Sequence, residues 1–364
     1  MNLVRAHALV KSIVEIDGHT LGFVRTEMES HSMGIWRFSH KLPPVKEECK
    51  KTLGEGDTPL LKLRQANIWV KADHVNPTSS FKDRGVAFLV SKIVEEGTSP
   101  VIIDSSGNAA VSTAAYCAHA CVDHIAVMPQ YSHTEKKAQV LWHGSKIIET
   151  PDRESARLYA RRLAKKLGLR YIGFALEPHA IPGFKTAAYE IEEQFNPDAV
   201  FIPVGSGANL IAIGSAFIEM HKRNEIDRLP EVHCVQSAAC APIAGEFMKY
   251  TPIESTLAEG VIVPFTERRD EAVKMVRKTG GLGWVVDDAD IHRALRILAS
   301  NGVYASPTGA VAVAGAMKAG YQGNCVCIVT GSGLKSNLML EGFTKRITSI
   351  EGESDLEEYI EKEI

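Results

Sequence analysis

From Ile68 onward the chain alternates between short runs dense in Val and Ile and longer stretches whose apolar residues recur every three or four positions. The short runs are Ile68–Val75, Val101–Ser105, His124–Pro129, Lys146–Thr150, Ala199–Val204, Val232–Gln236, Gly283–Val286 and Cys325–Thr330. They predict strands. Between them Val86–Val94, Ala109–Ala120, Arg153–Leu167, Gly183–Gln194, Leu210–Lys222 and Ala289–Asn301 carry helical spacing. Alternation of this kind predicts an α/β fold with parallel sheets covered by helices on both faces. Residues 1–50 hold only short alternating pieces, Ser12–Ile16 and Leu21–Arg25, which predict a few strands and no site. The acidic stretch Glu351–Ile364 predicts a solvated helix.

Composition narrows the class. The 364 residues leave room for two domains of ordinary size. With 45% hydrophobic and 23% charged residues the chain is globular, since a disordered one lacks that apolar fraction. A net charge of −3 gives no electrostatic reason to expect nucleic acid or an acidic membrane as partner. No run approaches the about 18 to 20 apolar residues of a membrane span. Met1–Arg5 lacks a signal peptide's apolar core, so a cytoplasmic location is expected. The seven cysteines are scattered. Cys325 and Cys327 are expected on opposite faces of a strand. Cys117 and Cys121 lie near His119 and His124, but no Cys-x-x-Cys pair supplies the usual zinc spacing, so small buried thiols and no metal are expected.

Candidate chemistry begins at Lys82, placed where a loop gives way to a helix. On residue type alone a lysine is a solvated surface charge. Burial disfavours the ammonium, and a neutral amine can form a Schiff base with an aldehyde. Two further stretches, Ser105-Ser106-Gly107-Asn108 and Val204-Gly205-Ser206-Gly207-Ala208-Asn209, each join a predicted strand to a predicted helix. A helix start offers free backbone N–H groups and a favourable dipole to an anion, although an ordinary helix cap also suits these residues. A dinucleotide site fits the second loop poorly, because Leu210 stands where the last glycine of G-x-G-x-x-G belongs.

The ten residues Asn76-Pro77-Thr78-Ser79-Ser80-Phe81-Lys82-Asp83-Arg84-Gly85 resemble the cofactor-lysine motif of fold type II pyridoxal 5'-phosphate (PLP) enzymes, and of threonine synthases most closely. Gly54–Leu60 resembles the "G-E-G-x-T-P-L" that opens the core of those enzymes, and Gly34–Phe38 with Leu42-Pro43 resembles the "W-R-Y … L-P" before it. Thr330-Gly331-Ser332-Gly333-Leu334-Lys335 resembles their "T-G-x-G-L-K-D", with Ser336 in place of Asp. The resemblance implies two α/β domains with PLP between them. The larger would combine residues 51–85 with 186–345, the smaller would be 86–185, and 1–50 and 346–364 would be a metal-free extension and a tail. It places PLP on Lys82, the substrate carboxylate on Ser105, Ser106 and Gly107, and the cofactor's ring oxygen on Asn108. The cofactor phosphate falls to Gly205, Ser206, Gly207, Ala208 and Asn209, where Ala208 replaces a glycine. Thr330 falls at the pyridine nitrogen. Lys136, in Glu135–Gln139, matches the lysine of the family's "G-K-x-A-Q" and is a candidate to meet a phosphate, although a surface helix charge suits it as well.

The implied reaction is formation of threonine and phosphate from O-phosphohomoserine by a homodimer. Two departures keep alternatives open. Ser306 stands where these enzymes carry a glutamate, and Phe174, Ala175 and Ala180 replace an Asn, a Ser and an Arg that help bind the phosphate. The segment Phe174–Thr186 is therefore expected to set the substrate, with Lys136, Lys185 or Arg84 as the cations able to compensate. A β-replacement synthase, a serine or threonine dehydratase, or a binding protein without turnover are the other readings.

Overall fold

The computed structural model describes residues 11–16, 19–24, 34–64 and 66–336. The stretch Glu351–Ile364 lies outside them. β1 (Lys11–Ile16) and β2 (His19–Val24) pair as an antiparallel hairpin. Then come β3 (Leu60–Lys62), β4 (Ile68–Lys71), α1 (Lys82–Glu95), β5 (Val101–Asp104), α2 (Asn108–His119), β6 (His124–Pro129), α3 (Thr134–Trp142), β7 (Lys146–Thr150), α4 (Arg153–Leu167) and β8 (Arg170–Ile172). The chain continues through α5 (Ile181–Gln194), β9 (Ala199–Pro203), α6 (Ala208–Lys222), β10 (Glu231–Ser237), α7 (Arg269–Lys278), β11 (Gly283–Val286), α8 (Asp288–Ser300), α9 (Pro307–Ala319) and β12 (Cys325–Ile328).

The Val- and Ile-rich runs pair into two sheets. One has the order β7-β6-β5-β8 and is parallel throughout. The other has the order β11-β10-β9-β12-β4-β3, parallel except for β3 at its edge. Both faces of such sheets must be covered, and helices that are apolar nearly all round, such as α6 and α9, do so.

The predicted strand Ile68–Val75 stops at Lys71. Asp73–Val75 is a 3-10 turn, held by the Asn76 side chain donating to the Asp73 carbonyl at 2.8 Å. The helix expected from Val86 starts at Lys82, because the Asp83 carboxylate accepts from the Thr78 N–H and hydroxyl, each at 2.6 Å. Cys325 and Cys327 both enter one core cluster, correcting the expectation of opposite faces, since residues two apart on a strand share a face. Of the seven thiols Cys121 is exposed and Cys49 half-buried, and the rest are buried.

A polar cluster joins α1 to α5 at the core. The Arg84 guanidinium meets Asp73 at 2.8 Å and Glu190 at 2.6 Å, and Lys71 meets Glu190 at 2.7 Å, all four side chains being buried. The helices touch because Gly183 has no side chain: a Cβ there would lie 1.9 Å from the Arg84 carbonyl oxygen.

Candidate functional site

Strand order brings the predicted residues together. β12 lies between β9 and β4, so the loops after these three strands are neighbours. They carry Thr330, Gly205–Asn209 and the turn to Lys82 respectively. Ligands in open α/β sheets bind at the carboxyl ends of strands for this reason. The Phe81 N–H donates to the Thr330 carbonyl at 3.0 Å, and the Ser332 N–H to the Ser79 carbonyl at 3.1 Å. Lys335 donates its ammonium to the Thr78 carbonyl. Ser105–Asn108 arrives from the other sheet, after β5. A cavity of about 2130 Å³ is lined by Lys82, Ser105–Asn108, Lys136, Gly205–Asn209 and Thr330 together.

Lys82 is the first residue of α1 and half-buried. Its amine lies 4.4 Å from the ring centre of Phe174, 4.5 Å from that of Phe81 and 5.8 Å from that of Phe184. Burial pushes the amine down to about 7, and the positive charge of Arg153 pushes it the same way. Both effects favour the neutral amine over the ammonium. Asp83 beside it accepts from Ser112 at 2.5 Å as well as from Thr78, which fixes the start of α1.

Gly207, immediately before α6, has φ +95°, a region that side chains rarely adopt. The turn presents backbone N–H groups at a helix start. Two buried amide atoms lack a partner among the described residues: Oδ1 of Asn108 and Nδ2 of Asn209. Leaving such an atom unpaired costs about 1–3 kcal/mol, so both amides favour a hydrogen-bonding partner beyond those the described residues supply. An aromatic aldehyde carrying a phosphate fits this donor set, with a low-pKa amine, an anion-binding turn, two free amides and the Thr330 hydroxyl.

The departures take a definite place. Phe174 and Ala175 line the cavity, Phe174 directly over Lys82. Ala180 is buried outside the lining, its carbonyl packed on α1 near Gly85. Of the three cations expected to compensate, Arg84 is consumed by Asp73 and Glu190, and Lys185 pairs with Glu219 at 2.6 Å. Lys136 lines the cavity and pairs with Glu259, which His133 also approaches at 3.3 Å. A Cβ on Gly107 would lie 3.6 Å from the Lys136 ammonium, so this charge stands behind the Ser105–Asn108 loop.

Sequence reasoning missed the phenylalanine cage, Glu259 and the arginines of α4. Only the last left a signal. Arg153, Arg157 and Arg161 recur every fourth residue, which puts them on one helix face, and all three line the cavity.

Comparison with known proteins follows this geometry. The family described as "Pyridoxal-phosphate dependent enzyme" matches residues 51–331. A threonine synthase of Methanocaldococcus jannaschii is 32% identical, with 85% of this chain and 82% of that protein covered. A threonine synthase of a Synechocystis species is 34% identical, with 81% of each covered. Among solved structures, maize serine racemase aligns with a TM-score of 0.68 at 21% identity, covering 79% of this chain and 92% of that one. The last likeness concerns the fold alone.

Proposed function

The chain belongs to the pyridoxal-phosphate dependent enzymes, and from that premise we propose that it is a threonine synthase, converting O-phospho-L-homoserine and water to L-threonine and phosphate. The observation that carries this reading is the likeness to curated threonine synthases over more than four fifths of both chains.

PLP, when bound, supplies a covalent anchor for the amino acid and an electron sink for charge developing at Cα. In our reading Lys82 holds it. Gly205, Ser206, Gly207, Ala208 and Asn209 would receive its phosphate at the start of α6, and Asn108 would meet its ring oxygen. Thr330 would face its pyridine nitrogen, where a neutral hydroxyl would not force protonation of the ring. Ser105, Ser106 and Gly107 receive the substrate carboxylate, with the Lys136 charge behind the loop. Once the substrate amine has taken its place, the Lys82 amine is the base for the Cα proton, a task that suits a group pushed down to about 7. Loss of a Cβ proton and of phosphate from Cγ follows; a proton then returns to Cγ, which becomes the methyl group, water adds its oxygen at Cβ, and the Cα proton is restored to release threonine. The rings of Phe81, Phe174 and Phe184 flank this amine.

Residues 86–185 serve in this reading as the smaller, mobile unit, closing on 51–85 with 186–345. A cytoplasmic homodimer completes it, after the resembled family. Among the described residues no helix is long and apolar enough to cross a membrane.

A second reading has one specific observation in its favour. Phe174 and Ala175 place apolar groups where the resembled pattern places phosphate ligands, which suits a leaving group on Cβ. The deciding experiment is mass-spectrometric product analysis with O-phosphohomoserine, O-phosphoserine, serine and threonine side by side. Threonine and phosphate from the first substrate support the synthase. Turnover of O-phosphoserine or serine alone, to a keto acid or a thiol adduct, replaces it with a β-elimination or β-replacement enzyme.

A further inference from the structure

The cavity wall carries several cations, and almost all are already spoken for. Arg157 pairs with Glu267, across from α4. Arg161 lies over the Tyr171 ring, 5.5 Å from its centre. Lys136 and His133 share Glu259, and Lys335 is bonded to the Thr78 carbonyl. Arg153 differs. No carboxylate pairs with it among the described residues, and its guanidinium reaches only the Ile262 carbonyl, at a long 3.5 Å. It is exposed to the cavity rather than packed in the core. Its reach is also fixed from two sides. Ile262 stands between Val261 and Val263, which lie 3.5 and 3.1 Å from where a Gly205 Cβ would be. The charge of Arg153 also bears on Lys82, and on Asp104 just before the Ser105 loop. Arg296 lines the cavity from α8, likewise without a carboxylate partner among the described residues, but no effect on Lys82 comes from it.

We propose that Arg153 holds the phosphate of the substrate, so that α4 supplies the anion ligand that the apolar side chains of Phe174 and Ala175 do not provide. The inference rests on the synthase reading, since it requires a phosphorylated amino acid. A guanidinium suits the task because its planar fork of N–H donors matches a phosphate bidentately. An unpaired guanidinium gives up no carboxylate to take the substrate, whereas Lys136 must compete with Glu259. Phe174 then covers the base while Arg153 takes the leaving group, a division of labour between β8's loop and the first turn of α4.

The test uses the holoenzyme and four proteins: wild type, Arg153→Gln, Arg153→Lys and Arg296→Gln. Each is titrated, by cofactor absorbance, with norvaline and with the phosphonate in which CH2 replaces the bridging oxygen of O-phosphohomoserine. PLP content and KM for O-phosphohomoserine are measured in parallel. Arg153→Gln should weaken the phosphonate ten- to a hundredfold and raise KM alike, as removal of a charge-assisted pair does. Norvaline affinity and PLP content should stay within twofold of wild type. Arg153→Lys should recover part of the affinity, and Arg296→Gln should match wild type. Equal phosphonate affinity in Arg153→Gln, equal weakening of norvaline, loss of PLP, or the weakening appearing in Arg296→Gln instead would each overturn the assignment. Wild type that binds the phosphonate no better than norvaline and releases no phosphate would overturn the synthase reading, and this assignment with it. Wild type that releases phosphate while Arg153→Gln behaves as wild type overturns the assignment alone.

Discussion

The amine of Lys82 lies 4.4 Å from the centre of the Phe174 ring, so the residue that breaks the expected phosphate pattern also shapes the environment of the proposed base. Two effects oppose each other there. A ring face attracts an ammonium by about 0.5–2 kcal/mol, while exclusion of water disfavours it. Burial prevails, since the amine is pushed from its ordinary 10.5 to about 7. Phe174→Asn admits water and should move the pH midpoint for PLP recombination with the apoenzyme upward by about one pH unit. A midpoint unchanged near 7 would show that Phe174 does not govern the amine.

Glu190 anchors the helix that carries Lys82. Burial raises its carboxyl, but Arg84 and Lys71 outweigh burial and hold it at about 2, below the ordinary 4.5. A depressed acid contributes stability that is complete above pH 4.5 and lost as pH falls toward 2. Glu190→Gln leaves Arg84 and Lys71 short of a counter-charge and should cost about 3–5 kcal/mol. The melting temperature should drop sharply at pH 7, and the difference from wild type should shrink as the pH is lowered below 4. A parallel offset at every pH would contradict the network's part in acid stability.

Gly207 has no room for a β-branched residue. At φ +95° a side chain strains the backbone by about 1–3 kcal/mol, and a Cβ there would already lie 3.2 Å from the Ala272 Cβ. Gly207→Val should melt a few degrees lower, retain its circular dichroism and lose PLP. Full cofactor content in the folded variant would place the phosphate elsewhere.

Thr330 is buried at the end of the loop after β12, and its carbonyl accepts from Phe81. If Thr330 meets the pyridine nitrogen as proposed, Thr330→Asp puts a carboxylate beside it and favours its protonation. Altered cofactor absorbance and more side product are expected. An identical spectrum with an identical product ratio argues that the ring nitrogen is not there.

Much of this was legible in the chain because local chemistry dictates it. β6, β7, β11 and α4 begin and end where the Val- and Ile-rich runs and the helical spacing predict. The strand–turn–helix loops around Asn108 and Gly207 are spelled by small residues whose backbone demands are specific. Helix starts were less legible. Lys82 and Asn108 open their helices, with Thr78 reaching Asp83 across the loop, and such a hold leaves no periodic trace. The cage of Phe81, Phe174 and Phe184 joins residues nearly a hundred positions apart, so no window of sequence contains it. Arg84 resembled a free cation in the motif. Only the fold reveals that Asp73 and Glu190 consume it.

In the proposed reaction water enters at Cβ after phosphate has left Cγ, and oxygen tracing reads that order of bonds. The holoenzyme is supplied with O-phosphohomoserine in water enriched in oxygen-18, and both products are weighed. Threonine with one heavy oxygen in its hydroxyl and phosphate with none are expected, because the C–O bond breaks and the bridging oxygen leaves with phosphorus. Heavy oxygen in the phosphate with homoserine as the product would mean simple ester hydrolysis, and absence of any phosphate release would mean that O-phosphohomoserine is not the substrate. Either result excludes the threonine synthase reaction.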